Sequence, residues 1–365
     1  MTSELLNTIR LRLRRGTFDA LLVTQPENRR YLSCYTPKDS SIQESSGALL
    51  IPAKGTPFLL TDSRFWLQAE KEAKDFKVEL YQRGLIALLK KLIKSLSIKR
   101  LAFESHYTLY STATTLIEAA KKVGVEAVPL TGLVEKLRTI KTNAELKKIQ
   151  RSVELNEKVF QEVYKGLCPG QTELEVAIKI ETTMYSMGAE GLSFESIVAA
   201  GPNGAMPHAV PSGRKLKKCE PIVIDMGLIL DGYCSDMTRT VVLGTPDGRT
   251  VDLFRLVRKA QLAGINRIKN GLVAREADRA ARNVISDAGY GENFGHGLGH
   301  GVGLAVHEAP SLTGRSRKKL KSGMVVTVEP GIYIPGWGGI RLENMVAVTK
   351  NGCHVLNGDT TFLDI

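Results

Sequence analysis

PIVIDMGLILDGYCSDMTRTVVLG, residues 221–244, reads as two apolar strands joined at Asp231-Gly232. An Asp-Gly pair between apolar runs is a strong two-residue hairpin signal, because the tight turn needs positive φ at both central positions. With that turn, Leu230 faces Tyr233, and counting back sets Asp225 opposite Thr238. Asp236 lies two residues from Thr238 along its strand, so it shares a sheet face with Asp225. Two carboxylates thus become diagonal neighbours flanked by Ile222, Ile224, Val241 and Val242, which is costly unless a cation lies between them. A solvated sheet edge can also carry two aspartates, so this hairpin alone does not decide the matter.

A second hairpin repeats the pattern. In MVVTVEPGIYI (324–334) and GGIRLENMVAVT (338–349), taking PGWGG (335–339) as the loop makes Ile334 face Ile340 and sets Glu329 opposite Met345. Glu343 is again two residues away, on the same face as Glu329. A third stretch, FGHGLGHGVGLAVHE (294–308), crowds His296, His300 and His307 among glycines in a chain with only six histidines. Glycine lets a backbone approach a ligand closely and adopt strained angles. Four carboxylates with at least one imidazole form a hard, oxygen-rich set that favours Mn, Co, Fe or Zn in a two-metal arrangement over a thiolate zinc site. Four negative charges also offset two divalent cations. The HE at 307–308 is not the zincin HExxH, because residue 311 is Ser. His106 and His354 read as ordinary structural or surface histidines.

Working outward, KTNAELKK opens with a capping box, Thr142 with Glu145, and a second box pairs Thr172 with Glu175; each starts a helix. Helical patterns return at 250–270 and 274–288, ahead of the second hairpin. Helix, helix, hairpin therefore occurs twice, which predicts two similar halves packed around one site. The first 140 residues alternate strand-like runs (19–25, 47–53, 57–62, 100–104) with helical patterns (66–75, 84–98, 109–124), after an amphipathic N-terminal helix. They read as an α/β domain without a chemistry-bearing motif.

The chain of 365 residues has room for two domains, here 1–140 and 141–365. No apolar run approaches the roughly 20 residues that span a bilayer, and the N-terminus does not read as a secretory signal, so no membrane association is expected. Five scattered cysteines, odd in number and never in CxxC, suit reduced thiols in the cytoplasm. The net charge of +12 raises a nucleic-acid reading. No helix-turn-helix or aromatic-interleaved signature accompanies it, so a solvated lysine-rich surface and no nucleic-acid partner are expected. The densest basic cluster, Arg315 to Lys321, lies close to the histidine stretch, where it could attract substrate instead.

GPNGAMPHAVPS (201–212), IDMGLILDGYCSDMTRT (224–240), GHGLGHGVGLAVHE (295–308), VEPGIY (328–333) and IRLENMV (340–346) together resemble the metal-dependent Xaa-Pro peptidases. That group, peptidase family M24, holds proline aminopeptidases and prolidases and is related to methionine aminopeptidase and creatinase. The resemblance implies an α+β "pita-bread" catalytic domain with pseudo-twofold halves, preceded by a creatinase-type α/β domain. Asp225 then corresponds to a ligand of one metal, Asp236 and Glu343 to bridging carboxylates, and His300 and Glu329 to the remaining ligands of the second metal. Two divalent ions are implied, with Mn favoured over Co or Zn, and a metal-bridging hydroxide as nucleophile.

By the same similarity His307 stabilises the tetrahedral intermediate, Glu329 shuttles a proton, and His208 lies beside the substrate near the scissile bond. His296, Tyr333 and Arg341 match positions that support the site. Asn344 stands where relatives usually carry Asp, and Ser311 where many carry Arg; Arg315 reads as surface. This weakens a restriction to dipeptides, whose free carboxylate needs a cation. The expected activity is removal of an N-terminal residue that precedes proline in small peptides, by a homodimer. The alternatives are a prolidase confined to Xaa-Pro dipeptides and a metal-free binding protein on the same fold.

Overall fold

Every residue of Ala20–Val23 is buried, and successive side chains serve different cores. Leu21 and Val23 join Leu6, Ile9 and Leu13, while Ala20 and Leu22 join Leu89, Ile93 and Leu116. A strand apolar on both faces must be covered on both faces, and period two assigns each residue its side. The computed structural model describes residues 2–363. The chain divides into two units, Met1–Leu137 and Arg138–Ile365.

In the first unit the strands are β1 (Ala20–Val23), β2 (Ala48–Pro52), β3 (Phe58–Thr61), β4 (Lys77–Leu80), β5 (Arg100–Glu104) and β6 (Glu126–Leu130). They form one mixed sheet in the order β4-β3-β2-β1-β5-β6. Helices α1 (Thr2–Arg15), α2 (Pro26–Ser33) and α3 (Trp66–Glu72) contribute to one face, and α4 (Leu85–Ser95) and α5 (Tyr110–Lys121) to the other. The α/β expectation holds. Sequence reasoning missed α2, which starts on Pro26, and the half-exposed strands β4 and β6, whose charged residues dilute the apolar signal. His106 behaves as expected of a structural residue, with Nε2 2.8 Å from Glu135 and 3.0 Å from Gln25.

After a single turn, α6 (Glu135–Arg138), the second unit opens with α7 (Asn143–Lys165) and α8 (Glu173–Ser186), and both capping boxes are formed. Short β7 (Gly191–Leu192) and β8 (Ile197–Ala200) precede β9 (Pro221–Met226), β10 (Leu228–Leu230), β11 (Tyr233–Cys234) and β12 (Met237–Val242). The first hairpin has the expected register: Leu230 pairs with Tyr233 and Asp225 with Thr238. Asp231 and Gly232 have φ of 51° and 81°, the double positive value their turn requires. Val159, Phe160, Val176 and Ile180 of α7 and α8 pack on Ile222, Ile224 and Val241, so Asp225 is left on the opposite face.

The second half repeats this order. Helices α9 (Gly248–Arg267) and α10 (Ala274–Asp287) lead to β13 (Gly299–Gly301), β14 (Glu308–Leu312), β15 (Val325–Val328), β16 (Gly331–Ile334), β17 (Gly338–Arg341), β18 (Asn344–Val348) and β19 (Cys353–Val355). Phe254, Val257, Ala277 and Ala281 pack on Val326, Val328, Ile340 and Leu342, leaving Thr327, Glu329, Arg341 and Glu343 on the far side.

Here the expected register needs correction. Ile334 pairs with Gly338, not Ile340, and Met345 pairs with Thr327, not Glu329. The loop is the three residues Pro335–Trp337, because Gly338 pairs with Ile334 and already belongs to the strand. The displacement is two residues, so face parity survives and Glu329 and Glu343 still share a side.

No helix among the described residues is long and apolar enough to cross a membrane. Cys34, Cys168, Cys219 and Cys353 are free thiols.

Candidate metal centre

The two hairpins meet along residues 238–240 and 341–343. Glu343 N–H donates to Thr238 O at 3.1 Å, and Thr240 Oγ1 donates to Arg341 O at 2.9 Å. This junction brings the carboxylate faces of both halves onto one cavity of about 460 Å³. Asp225, Asp236, His300, Glu329 and Glu343 all line it, as do His208, His296, His307 and Arg341.

Asp236, His300 and Glu343 each offer a ligand atom, and these atoms lie within 4.8 Å of one another. His300 Nε2 is 3.5 Å from Asp236 Oδ2 and 3.3 Å from Glu329 Oε1. Asp225 is held from behind, its Oδ2 2.6 Å from Arg341 Nη2. Thr238 Oγ1 donates to Glu343 Oε2 at 2.7 Å, and Thr327 Oγ1 to Glu329 Oε1 at 3.0 Å. Asp225 Oδ1 and Glu343 Oε1 are buried and accept no hydrogen bond. Buried carboxylate oxygens without a donor are costly.

Electrostatics express the same cost. Burial, with Glu343, Asp225 and Glu329 nearby, raises the pKa of Asp236 well above the carboxylate range. Burial, Glu329 and Asp225 do the same to Glu343. Glu329 is pushed up to about 7, chiefly by burial. Such an arrangement calls for a positive charge among the oxygens, and the donor set of four carboxylates and a neutral imidazole fits divalent metal.

Burial, with His307 beside it, lowers His300 to about 4, so the ring is neutral near pH 7. Its Nδ1 donates to Gly301 O at 3.1 Å, which leaves the Nε2 lone pair facing the carboxylates. His300 N–H also donates to Thr327 Oγ1 at 3.0 Å. That contact explains one glycine of the histidine stretch: a Cβ on Gly299 would collide with Thr327 O. Gly295, Gly297, Gly299, Gly301 and Gly303 are absent from the positive-φ positions, so close approach rather than strain is their use where neighbours press.

His296 sits outside this cluster. Its Nδ1 contacts Gly297 O at 2.8 Å and its Nε2 lies 2.9 Å from Tyr333 Oη, which in turn accepts from Arg341 Nη1 at 2.9 Å. Burial lowers His296 to about 4 and raises Tyr333 to about 12, so both are neutral. Although burial disfavours its charge, Tyr333 and Asp225 raise the pKa of Arg341 well above normal. His307 is exposed, its ring centroid 4.3 Å from that of His300, and His208 is exposed in the 201–212 stretch. Thr238 and Thr327 escaped sequence reasoning. Thr238 was findable, since the first hairpin's register already set it opposite Asp225.

An α/β unit followed by a carboxylate-lined unit of two similar halves is the architecture of a metal-dependent hydrolase. The chain belongs to metallopeptidase family M24, whose pattern matches residues 147–350, and residues 6–140 match the creatinase/prolidase N-terminal domain. The second unit is therefore a pita-bread domain. The chain is 38% identical over 334 residues to the uncharacterized peptidase YqhT of Bacillus subtilis, covering 92% of each chain. It superposes on the structure of an Xaa-Pro dipeptidase from Bacillus anthracis with a TM-score of 0.93 at 38% identity, covering 100% of both. An X-Pro aminopeptidase structure from Thermotoga maritima gives 0.85 at 35% identity, over 95% of this chain and 98% of that one.

Proposed function

We propose that this chain is a metal-dependent Xaa-Pro peptidase that removes an N-terminal residue from peptides with proline in second position. The observation that carries this reading is the convergence of Asp225, Asp236, His300, Glu329 and Glu343 on one cavity, with Asp225 Oδ1 and Glu343 Oε1 buried and unpartnered. The family membership and the named Xaa-Pro enzymes among its relatives support it.

These five side chains would hold two divalent ions, manganese first. When bound, the ions supply Lewis acidity that lowers the pKa of water and polarises the scissile carbonyl. The remaining work falls to the chain. Glu329, lining the same cavity, accepts a proton and returns it to the proline nitrogen, which carries no hydrogen in the peptide. His307, exposed to the cavity beside His300, donates a hydrogen bond to the carbonyl oxygen as charge develops. His208, on the same cavity, flanks the leaving side. Arg341 and Tyr333 orient Asp225 and His296 without touching substrate.

Among the described residues, Arg341 is the only lysine or arginine lining the cavity, and Asp225, Tyr333, Thr238 and Pro207 O already engage its guanidinium. Ser311 lines the cavity instead of a cation, and Arg315 is exposed outside that lining. No free cation waits there for the carboxylate of a dipeptide, which favours longer peptides. The Bacillus anthracis relative's name favours the second reading, a strict dipeptidase. Turnover of Ala-Pro, Met-Pro, Met-Ala and Ala-Pro-Ala with Mn, Co or Zn separates them. Cleavage of Ala-Pro-Ala as well as Ala-Pro is expected; cleavage of dipeptides alone establishes the prolidase, and no hydrolysis by protein that has bound metal rejects both.

A further inference from the structure

Glu308 follows His307 directly, and its carboxylate is enclosed between two cations from the start of the second unit. Its side chain is 7% exposed, those of Arg138 and Lys141 3% and 1%. Arg138 Nη2 makes a short contact with Oε1, Lys141 Nζ lies 3.3 Å from Oε2, and Ala305 N–H donates to Oε1 at 3.1 Å.

The cationic end is fixed by main chain. Lys141 N–H donates to Gly323 O at 2.8 Å, and Thr142 caps α7 in the next position. The acidic end is the first residue of β14, where the loop from β13 ends. Gly301 pairs with Glu308 across a break in register, Cys234 N–H donates to Gly303 O at 2.8 Å, and a Cβ on Gly303 would come within 2.6 Å of Glu308 Oε2. The loop is closed over the carboxylate, and the residue emerging from it is His307.

Three charges buried together are an expensive way to hold a core, since apolar side chains of similar volume often hold it as well or better. What paired charges with several hydrogen bonds add is direction: donors and carboxylate oxygens meet in one arrangement. We propose that Glu308, clamped by Arg138 and Lys141, is the positioning residue that sets the His307 imidazole over the reacting carbonyl. This rests on the assignment of His307 as a hydrogen-bond donor to the substrate. Glu308 acts through the backbone of its neighbour and touches no substrate.

A double-mutant cycle on the manganese-loaded 365-residue chain, with Ala-Pro-Ala as substrate, tests it. Glu308→Gln is expected to lower kcat about tenfold or more with KM within about twofold and bound manganese unchanged. His307→Ala, damaging alone, should add less than about twofold in the Glu308→Gln background, because a displaced imidazole has little left to lose. Lys141→Met should show the same pattern more weakly, and it carries the cycle if Glu308→Gln does not fold. Multiplicative losses, or a loss confined to KM or metal content, overturn the proposal. If His307→Ala alone leaves kcat unchanged, the assignment of His307 falls instead.

Discussion

Arg341 Nη2 lies 2.6 Å from Asp225 Oδ2, and the same guanidinium donates to Tyr333 Oη at 2.9 Å, Pro207 O at 3.1 Å and, through Nε, Thr238 Oγ1 at 3.1 Å. A planar fork with donors on three sides can satisfy all four at once, and an ammonium cannot. Arg341→Met would strip the largely enclosed Asp225 carboxylate of its partner, and breaking a buried ion pair typically costs about 3–5 kcal/mol. We expect a loss of that size in the metal-free protein by denaturant or thermal unfolding, only partly recovered by Arg341→Lys. A cost below about 1 kcal/mol would show that Asp225 does not depend on Arg341.

Asp236→Asn and Glu343→Gln each remove charge from the centre of the cluster while keeping side-chain volume. Both should reduce turnover of Ala-Pro-Ala to less than about a tenth and lower bound metal as measured by elemental analysis, since loss of a ligand removes several kcal/mol of transition-state stabilisation. Full metal content with near-normal turnover would contradict the proposal that these two carboxylates hold the metal.

The pH dependence of the metal-free protein follows from the raised carboxylates. Asp236, Glu343 and Glu329, the last at about 7, have higher pKa values folded than their unfolded values near 4. The folded state therefore holds more protons than the unfolded state. Its stability falls as pH rises from about 4, and for Glu329 the penalty is complete only above about 7. Manganese replaces those protons and removes the penalty. The rise in thermal midpoint on adding manganese should accordingly be larger at pH 8 than at pH 6, and calorimetric titration in two buffers should detect proton release. A gain independent of pH would refute this.

Tyr333→Phe deletes the hydroxyl that links Arg341 to His296 Nε2. His296, partly buried at the cavity wall, then loses its hydrogen-bond donor, at a cost of about 1 kcal/mol in stability. Because Tyr333 supports the site without touching substrate in this reading, kcat/KM should fall only about five- to tenfold, or about 1–1.4 kcal/mol. Nitrogen NMR of the imidazole should show the Nδ1–H tautomer in the parent protein. Loss of all activity would place Tyr333 in the chemistry itself.

How far the site could be read from the chain differs between its two hairpins. Asp231-Gly232 admits one tight turn, so the partners of Asp225 followed from counting. PGWGG offers several glycine-compatible turns, so the count at Glu329 was displaced by two, although period two kept Glu329 and Glu343 on one face. The capping boxes at Thr142 and Thr172 were legible because each is closed within four residues. Glu308 with Arg138 and Lys141 was not, since its partners lie 170 and 167 residues away and no local pattern joins them.

The chain's own order of residues determined its helices, its tight turn, the face on which each acidic residue stands and the family to which it belongs, because these depend on neighbours a few positions apart. Folding alone decided that Thr238 would meet Glu343 across 105 residues, that Arg341 would be used up by Asp225, and that a loop histidine would be flanked by a buried ion cluster. The first two contacts arise where two separately covered sheets come together. The packing that joins them is a property of the whole second unit and is written in no short stretch of it.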